Sequence, residues 1–277
     1  VFVRSGATWT QQAYLKDSNS ISNDSFGTRL SLSDDGNTLA ISRIGWDAGT
    51  SGNAAGSVLI FYRTGTTWDN FNNTYIYSNL IASNPDPQDR FGETISLSGD
   101  GNTLAVGASY EDSDSTGIGG DQSNNNLTNS GAVYIFSRNN YSWSQQAYLK
   151  SSSTAAAEYF GTSVSLTDDG NTLAVSSYLE DGNAVGMGGD PTDNSASQSG
   201  GLFVFSRTGS SWSEIAYVKS SNTEAGDCFG RNPESVNLSD DGNTLAVGNY
   251  CEDSNATGIG GDETDNSASF SGAVYIY

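Results

Sequence analysis

Two stretches of this sequence set oxygen-bearing side chains at alternate positions and follow them with glycine. One reads Asp112-Ser113-Asp114-Ser115-Thr116-Gly117 and returns an acid at Asp121. The other reads Asp253-Ser254-Asn255-Ala256-Thr257-Gly258 and returns Asp262. Oxygens at positions 1, 3 and 5 with glycine at 6 open a calcium-binding loop, because the glycine allows the sharp turn that aims the ligands at one centre. A third stretch holds Asp181, Asn183 and Asp190 but has Val185 at position 5. The bidentate glutamate that closes such loops is missing from all three. Two readings stand: a calcium site, or a loop held by its own Asx turns and glycines.

Cys228 and Cys251 are the only cysteines. One precedes a strand-like run and the other follows the next such run, so an antiparallel hairpin brings them to one end. There they form a disulfide in an oxidising compartment, or remain two buried thiols. Trp143, Tyr148 and Tyr178 either stack on sugar rings or fill the interior of a sheet. Among several Asn-x-Ser/Thr triplets, Asn140 at a hairpin tip is the best glycosylation acceptor, and Asn72 is another. The chain has no histidine, which excludes Ser–His–Asp and Cys–His catalysis and the usual zinc sets.

The net charge of −21, from 32 acidic and 11 basic residues, repels nucleic acid and anionic lipid and attracts cations and basic partners. No run approaches the 18 or so apolar residues of a spanning helix, so no membrane insertion is expected. The chain opens at Val1 without a signal peptide and reads as a mature or excerpted product.

The elements that position these residues come from a repeat. Phe26-Gly27, Phe91-Gly92, Phe160-Gly161 and Phe229-Gly230 recur every 65 to 69 residues. Each is followed by Asp-Gly-Asn-Thr-Leu-Ala, at 35–40, 100–105, 169–174 and 241–246, and preceded by Trp9, Trp68, Trp143 or Trp212. Within one copy, Phe160–Thr167 alternates apolar and small polar residues, Asp168-Asp169-Gly170 signals a tight turn, and Asn171–Ser176 alternates again. Gly201–Arg207 and Trp212–Lys219 make a second hairpin. Four antiparallel strands per copy, with small Ser, Ala and Gly where sheets would stack, describe an all-β chain of tandem propeller blades. The expected domain is one array of four units, about 1–63, 64–138, 139–207 and 208–277, forming all or part of a propeller and cut from a longer array.

Phe-Gly, then Asp100–Ala108, then Ser130–Phe136 (Ser-Gly-Ala-Val-Tyr-Ile-Phe) resembles the FG-GAP repeat, the blade of integrin α-subunit propellers and of many microbial surface proteins. The resemblance covers the chain four times over. It implies a propeller and an extracellular or cell-surface location, with adhesion, sugar binding or scaffolding as the role. That family often carries a calcium loop between its first two strands. Here Ser33-Asp34-Asp35-Gly36-Asn37 is too short for that ligand set. The expected function is a non-catalytic binding, adhesion or scaffold module whose partner is a protein or glycan at the cell surface, or further copies of itself. A lectin-like propeller is the alternative and a polysaccharide-active enzyme a third. The acidic residues follow the repeat, whereas catalysis breaks a repeat at one site.

Overall fold

A computed structural model of the protein describes residues 1–47, 54–69 and 78–277. The triplet at Asn72 lies outside them. Every regular element among these residues is a strand. A hairpin, β1 (Phe2–Ser5) and β2 (Thr8–Gln11), comes first. The first blade is β3 (Phe26–Leu32), β4 (Thr38–Arg43) and β5 (Ser57–Thr64), with β6 (Thr67–Asp69) and β7 (Ser78–Leu80) sharing the free edge of β5. The second is β8 (Thr94–Leu97), β9 (Thr103–Ala108), β10 (Ala132–Asn139) and β11 (Ser142–Leu149). The third is β12 (Phe160–Leu166), β13 (Thr172–Ser177), β14 (Gly201–Thr208) and β15 (Ser211–Val218). The fourth is β16 (Val236–Leu238), β17 (Leu245–Asn249) and β18 (Ala273–Ile276). The blades run out of phase with the units read from sequence. Each complete blade takes as its outer strand the tryptophan strand that opens the following unit.

The repeated motif builds each blade and ties it to the next. In Asp-Gly-Asn the aspartate caps the turn: Asp100 Oδ1 accepts from Ser98 Oγ and from Asn102 N, and its other oxygen accepts from Asn102 Nδ2. Asp35, Asp169 and Asp241 repeat these bonds. Asn102 Oδ1 then accepts from Arg138 Nε on the third strand, and the Arg138 guanidinium lies 5.8 Å from the Trp143 ring on the fourth. The triads Asn37–Arg63–Trp68 and Asn171–Arg207–Trp212 match it. Trp143 and Tyr148, candidates for sugar stacking, are therefore structural. Trp143 donates to Tyr62 OH of the neighbouring blade, and Tyr148 is buried.

Blades meet in chain order, β8 against β3, β12 against β8 and β9, and β16 against β12 and β13. Among the described residues no comparable contact joins the fourth blade to the first. Serine side chains on the inner strands accept backbone N–H groups from the next blade, Ser31 from Leu97, Ser96 from Leu166 and Ser165 from Leu238. This is why the alternate positions carry small residues. The turns also chain together, Asp34 N to Gly99 O, Gly99 N to Asp168 O and Asp168 N to Asp240 O. Apolar clusters fill the spaces between. Phe91, Phe160 and Phe229 are fully buried, each worth ~1.5–3 kcal/mol of burial.

Candidate functional site

The long loops between the second and third strands all leave one rim, and most of their oxygen-bearing side chains bond to the loop's own chain. Asp112, Asp181 and Asp253 each accept a backbone N–H from the returning chain, at Asn129, Gln198 and Phe270. Those three residues hold positive φ of 52°, 59° and 57°. Position 3 ties the loop across its middle: Asp114 accepts from Asn126, while Asn183 and Asn255 donate to Ser195 and Ser267. Asp121, Asp190 and Asp262 each cap the residue two further on through its N–H and hydroxyl, at Ser123, Thr192 and Thr264. Thr116 and Thr257 face solvent. The side-chain oxygens of these loops are thus engaged in caps and cross-loop bonds, and among the described residues no group of three or more His, Cys, Asp or Glu gathers to hold a metal. The same spacing serves Asx turns here. Asp47 of the first blade, outside the sequence pattern, accepts from Ala54 N and does the work of Asp112.

Cys228 and Cys251 do meet at one end of the β16–β17 hairpin, but as free, buried thiols, which corrects the expected disulfide. The Arg231 Nη1 atom lies 3.9 Å from one sulfur and 3.7 Å from the other. Burial pushes the Cys228 thiol up to about 11, so it is a poor nucleophile at neutral pH. Asn140 sits at the exposed β10–β11 turn with φ 57°, as its position suggested.

Sequence reasoning missed the buried ion pairs. Lys150 has no exposed surface and donates to Glu111 Oε2 at 3.0 Å, Ser113 O at 2.8 Å and Ser130 Oγ at 2.6 Å. Lys219 repeats this with Glu180 at 2.9 Å and Ser199 at 2.6 Å, and Tyr217 OH also donates to Glu180. In the first blade Trp46 and Ile81 occupy the matching positions, and Arg43 lies buried between Asp17, Asp24 and Ser57 instead.

A second buried set sits just before each Phe-Gly. Asp89, Glu158 and Asp227 accept from Asp86 N, Ala155 N and Glu224 N respectively, capping a tight turn. Desolvation raises Asp89 to about 8, Glu158 to about 7 and Asp227 to about 6. Raised carboxyls in a cleft are general-acid candidates. These recur at one repeat position in three blades, which marks them as structural. The folded protein holds their protons after the unfolded chain, titrating near 4, has lost them, so stability falls as pH rises from about 4 to 8. Lys150 and Lys219, lowered mainly by desolvation, give the opposite slope on the alkaline side. The expected result is a higher melting temperature at pH 5 than at pH 8. Asp89→Asn should flatten that slope; an unchanged slope refutes the assignment.

One partly exposed cluster breaks the repeat. Along the loop-bearing rim the Arg90 guanidinium stacks 4.3 Å from the Tyr110 ring, Tyr110 meets Tyr159 edge-on at 5.2 Å, and Tyr159 meets Tyr178 at 5.3 Å. Arg231 then lies 5.6 Å from the Tyr178 ring and 5.3 Å from that of Tyr250. The six side chains come from three blades: Arg90 and Tyr159 share the position before Phe-Gly, and Tyr178 and Tyr250 share the position two before Glu180 and Glu252, but the residue type at each position changes between blades, with Cys228 and Ser109 as counterparts. They set aromatic faces and two guanidinium groups side by side on an acidic molecule, an arrangement that can stack on rings and pair with anions.

A model of the FG-GAP repeat matches residues 9–61, 77–136 and 143–205 of the chain. No curated protein matches it. Among solved structures, the chain is similar to a putative TolB from Agrobacterium tumefaciens, with 11% identity and a TM-score of 0.39, covering 80% of this chain and 53% of that one. A hypothetical selenium-binding protein from Sulfolobus tokodaii shows 10% identity and a TM-score of 0.38 over 69% of this chain and 41% of its own. A protein from Lactobacillus plantarum shows 12% identity and a TM-score of 0.34 over 80% and 63%. The chain spans less than two thirds of the length of each.

Proposed function

The chain belongs to the FG-GAP repeat family, and on that premise we propose that it is a non-catalytic binding module of the cell exterior whose ligand lies across the Tyr–Arg ladder of the loop-bearing rim. The observation that carries this reading is the ladder itself. It is partly exposed, departs from the repeat, and offers ring faces flanked by cations. Glycan is the ligand chemistry it favours, because sugar rings stack on tyrosine while carboxylate-bearing sugars pair with arginine. Against catalysis stand the absence of histidine and the recurrence of the raised carboxyls at one structural position. No helix among the described residues is long and apolar enough to cross a membrane. A glycan array tests the proposal. Tyr159→Ala and Arg231→Ala should each lose the bound signal, with a drop on the order of tenfold for one stacked ring or charge-assisted contact. Arg63→Ala, remote from the rim, should not. Equal binding by all three variants would sink the reading.

A further inference from the structure

Around Lys150 the second blade gathers the four groups needed for an amine to displace ammonia from a carboxamide. Lys150 Nζ donates to Glu111 Oε2 at 3.0 Å, and Asn84 Nδ2 donates to the other oxygen, Glu111 Oε1, at 3.3 Å. One carboxylate thus holds the amine and the carboxamide side by side. Tyr134 OH donates to Asn84 Oδ1 at 2.7 Å, on the atom where negative charge develops when the carboxamide carbon is attacked. Lys150 and Tyr134 have no exposed surface and Glu111 is buried, so water is kept from the amine. Desolvation holds the Lys150 ammonium below the usual lysine range, which favours the neutral, nucleophilic amine. The parts come from distant points of the chain: Asn84 precedes β8, Glu111 follows β9 and Lys150 follows β11.

The third blade supplies a comparison inside the same molecule. Ser153 stands seven residues before Phe160, as Asn84 stands seven before Phe91. It offers no carboxamide, and its buried hydroxyl has no hydrogen-bond partner. Phe203 replaces Tyr134, and Tyr217 OH takes one oxygen of Glu180. Lys219 keeps its bond to Glu180 all the same, so the ion pair does not itself require an asparagine. In the fourth blade Asn222 Nδ2 donates to Glu252 at 3.3 Å and Tyr275 OH donates to Asn222 Oδ1 at 2.6 Å. Asparagine and tyrosine therefore occur together at these two positions, as serine and phenylalanine do in the third blade.

We propose that Lys150 and Asn84 join in an isopeptide bond, formed by the folded chain itself with Glu111 as the proton carrier. Glu111 takes a proton from the ammonium, and the freed lone pair of Nζ attacks Asn84 Cγ, sending the carbonyl π pair onto Oδ1. That pair returns as the Cγ–Nδ2 bond breaks, and the electrons of the broken bond leave on nitrogen. Two protons leave Nζ in all, and Glu111 passes both to the departing nitrogen, which goes as ammonium. Glu111 ends as the carboxylate it began, and no oxidant, water or other reactant enters. Proximity on a shared carboxylate replaces the activation that an intermolecular amide exchange would need. The bond ties the segment ahead of β8 to the outer strand β11. It involves none of the ladder residues, so its failure leaves the rim reading standing.

The test is the intact mass of the full chain after denaturation. The wild type should weigh one ammonia less than its sequence mass. Trypsin should not cut after Lys150, and one branched peptide should carry Asn84 and Lys150 together. Asn84→Ser takes the residue that the third blade holds at this position, so it should fold and keep its full sequence mass. Glu111→Gln, checked for its strands by circular dichroism, should also keep its full mass, because the amide cannot accept the proton. A wild type at full sequence mass overturns the proposal. So does a loss of ammonia that persists in Asn84→Ser or in Glu111→Gln, or a Lys150 after which trypsin still cuts.

Discussion

Lys219→Ala is expected to destabilise the protein by about 3–5 kcal/mol in denaturant unfolding, against a few tenths for Lys16→Ala. The two lysines close the same kind of strand, and burial separates them. Lys219 has no exposed surface and sits 2.9 Å from Glu180, itself fully buried. Removing the ammonium leaves a carboxylate that water cannot reach and also takes the donor from Ser199 Oγ. The single variant therefore measures the cost of an uncompensated charge and not the worth of the pair. The first blade shows that the pair is dispensable to the fold, since Trp46 and Ile81 stand in its place. Accordingly Glu180→Gln with Lys219→Met, which keeps an acceptor for Tyr217 OH and Gly182 N, should recover most of the loss. If the double variant is no better than Lys219→Ala, stranded charge is not the cause.

The strands of this fold were legible because period-2 alternation and the Asp-Gly-Asn turn state one local structure four times. The small residues at alternate positions gave the close stacking, now seen as serine hydroxyls accepting N–H groups across the seams. At the loops, an Asx turn and a calcium ligand both ask for oxygen at alternate positions before glycine, so spacing alone does not choose between them. In the structure Asp112 and Asp253 each turn one oxygen to a backbone N–H, at Asn129 and Phe270. The cysteines were rightly brought together, but adjacency at a strand end does not set the sulfurs in bonding geometry, and both remain thiols. The buried pairs had a signal that went unread. Lysine ends the apolar runs Ala147–Lys150 and Ala216–Lys219, and glutamate recurs in phase at 111, 180 and 252. Of the ladder, sequence singled out Tyr178 alone; Arg90 and Tyr159 share the position before Phe-Gly, where the residue type changes from blade to blade and the repeat gives no emphasis.

Gly131→Ala is expected to cost more than about 3 kcal/mol, while Gly209→Ala costs about 1–2 kcal/mol. Both glycines hold positive φ, 80° and 64°, so both alanines carry the left-handed penalty. The positions differ in what a methyl group meets. At Gly209, in the open β14–β15 turn, nothing lies within 4 Å. At Gly131 the added carbon would stand 2.2 Å from Phe160 O and 2.5 Å from Phe160 N, both backbone atoms that no rotamer change can move aside. Gly131 and Phe160 form a parallel bridge, and Phe160 N donates to Ser130 O at 3.0 Å, so the clash falls on the seam between the second and third blades. Relief requires the blades to part, which opens the cluster around Phe160, Val164 and Val133 to water. Hydrogen exchange should then show faster exchange at Phe160 and neighbouring seam amides in Gly131→Ala, and local change at the turn alone in Gly209→Ala. Gly56 and Gly200 meet Phe91 and Phe229 in the same way, which accounts for glycine in three Ser-Gly or Ala-Gly motifs on physical grounds. Similar losses in the two variants would show that backbone conformation, and not the seam, sets the requirement for glycine.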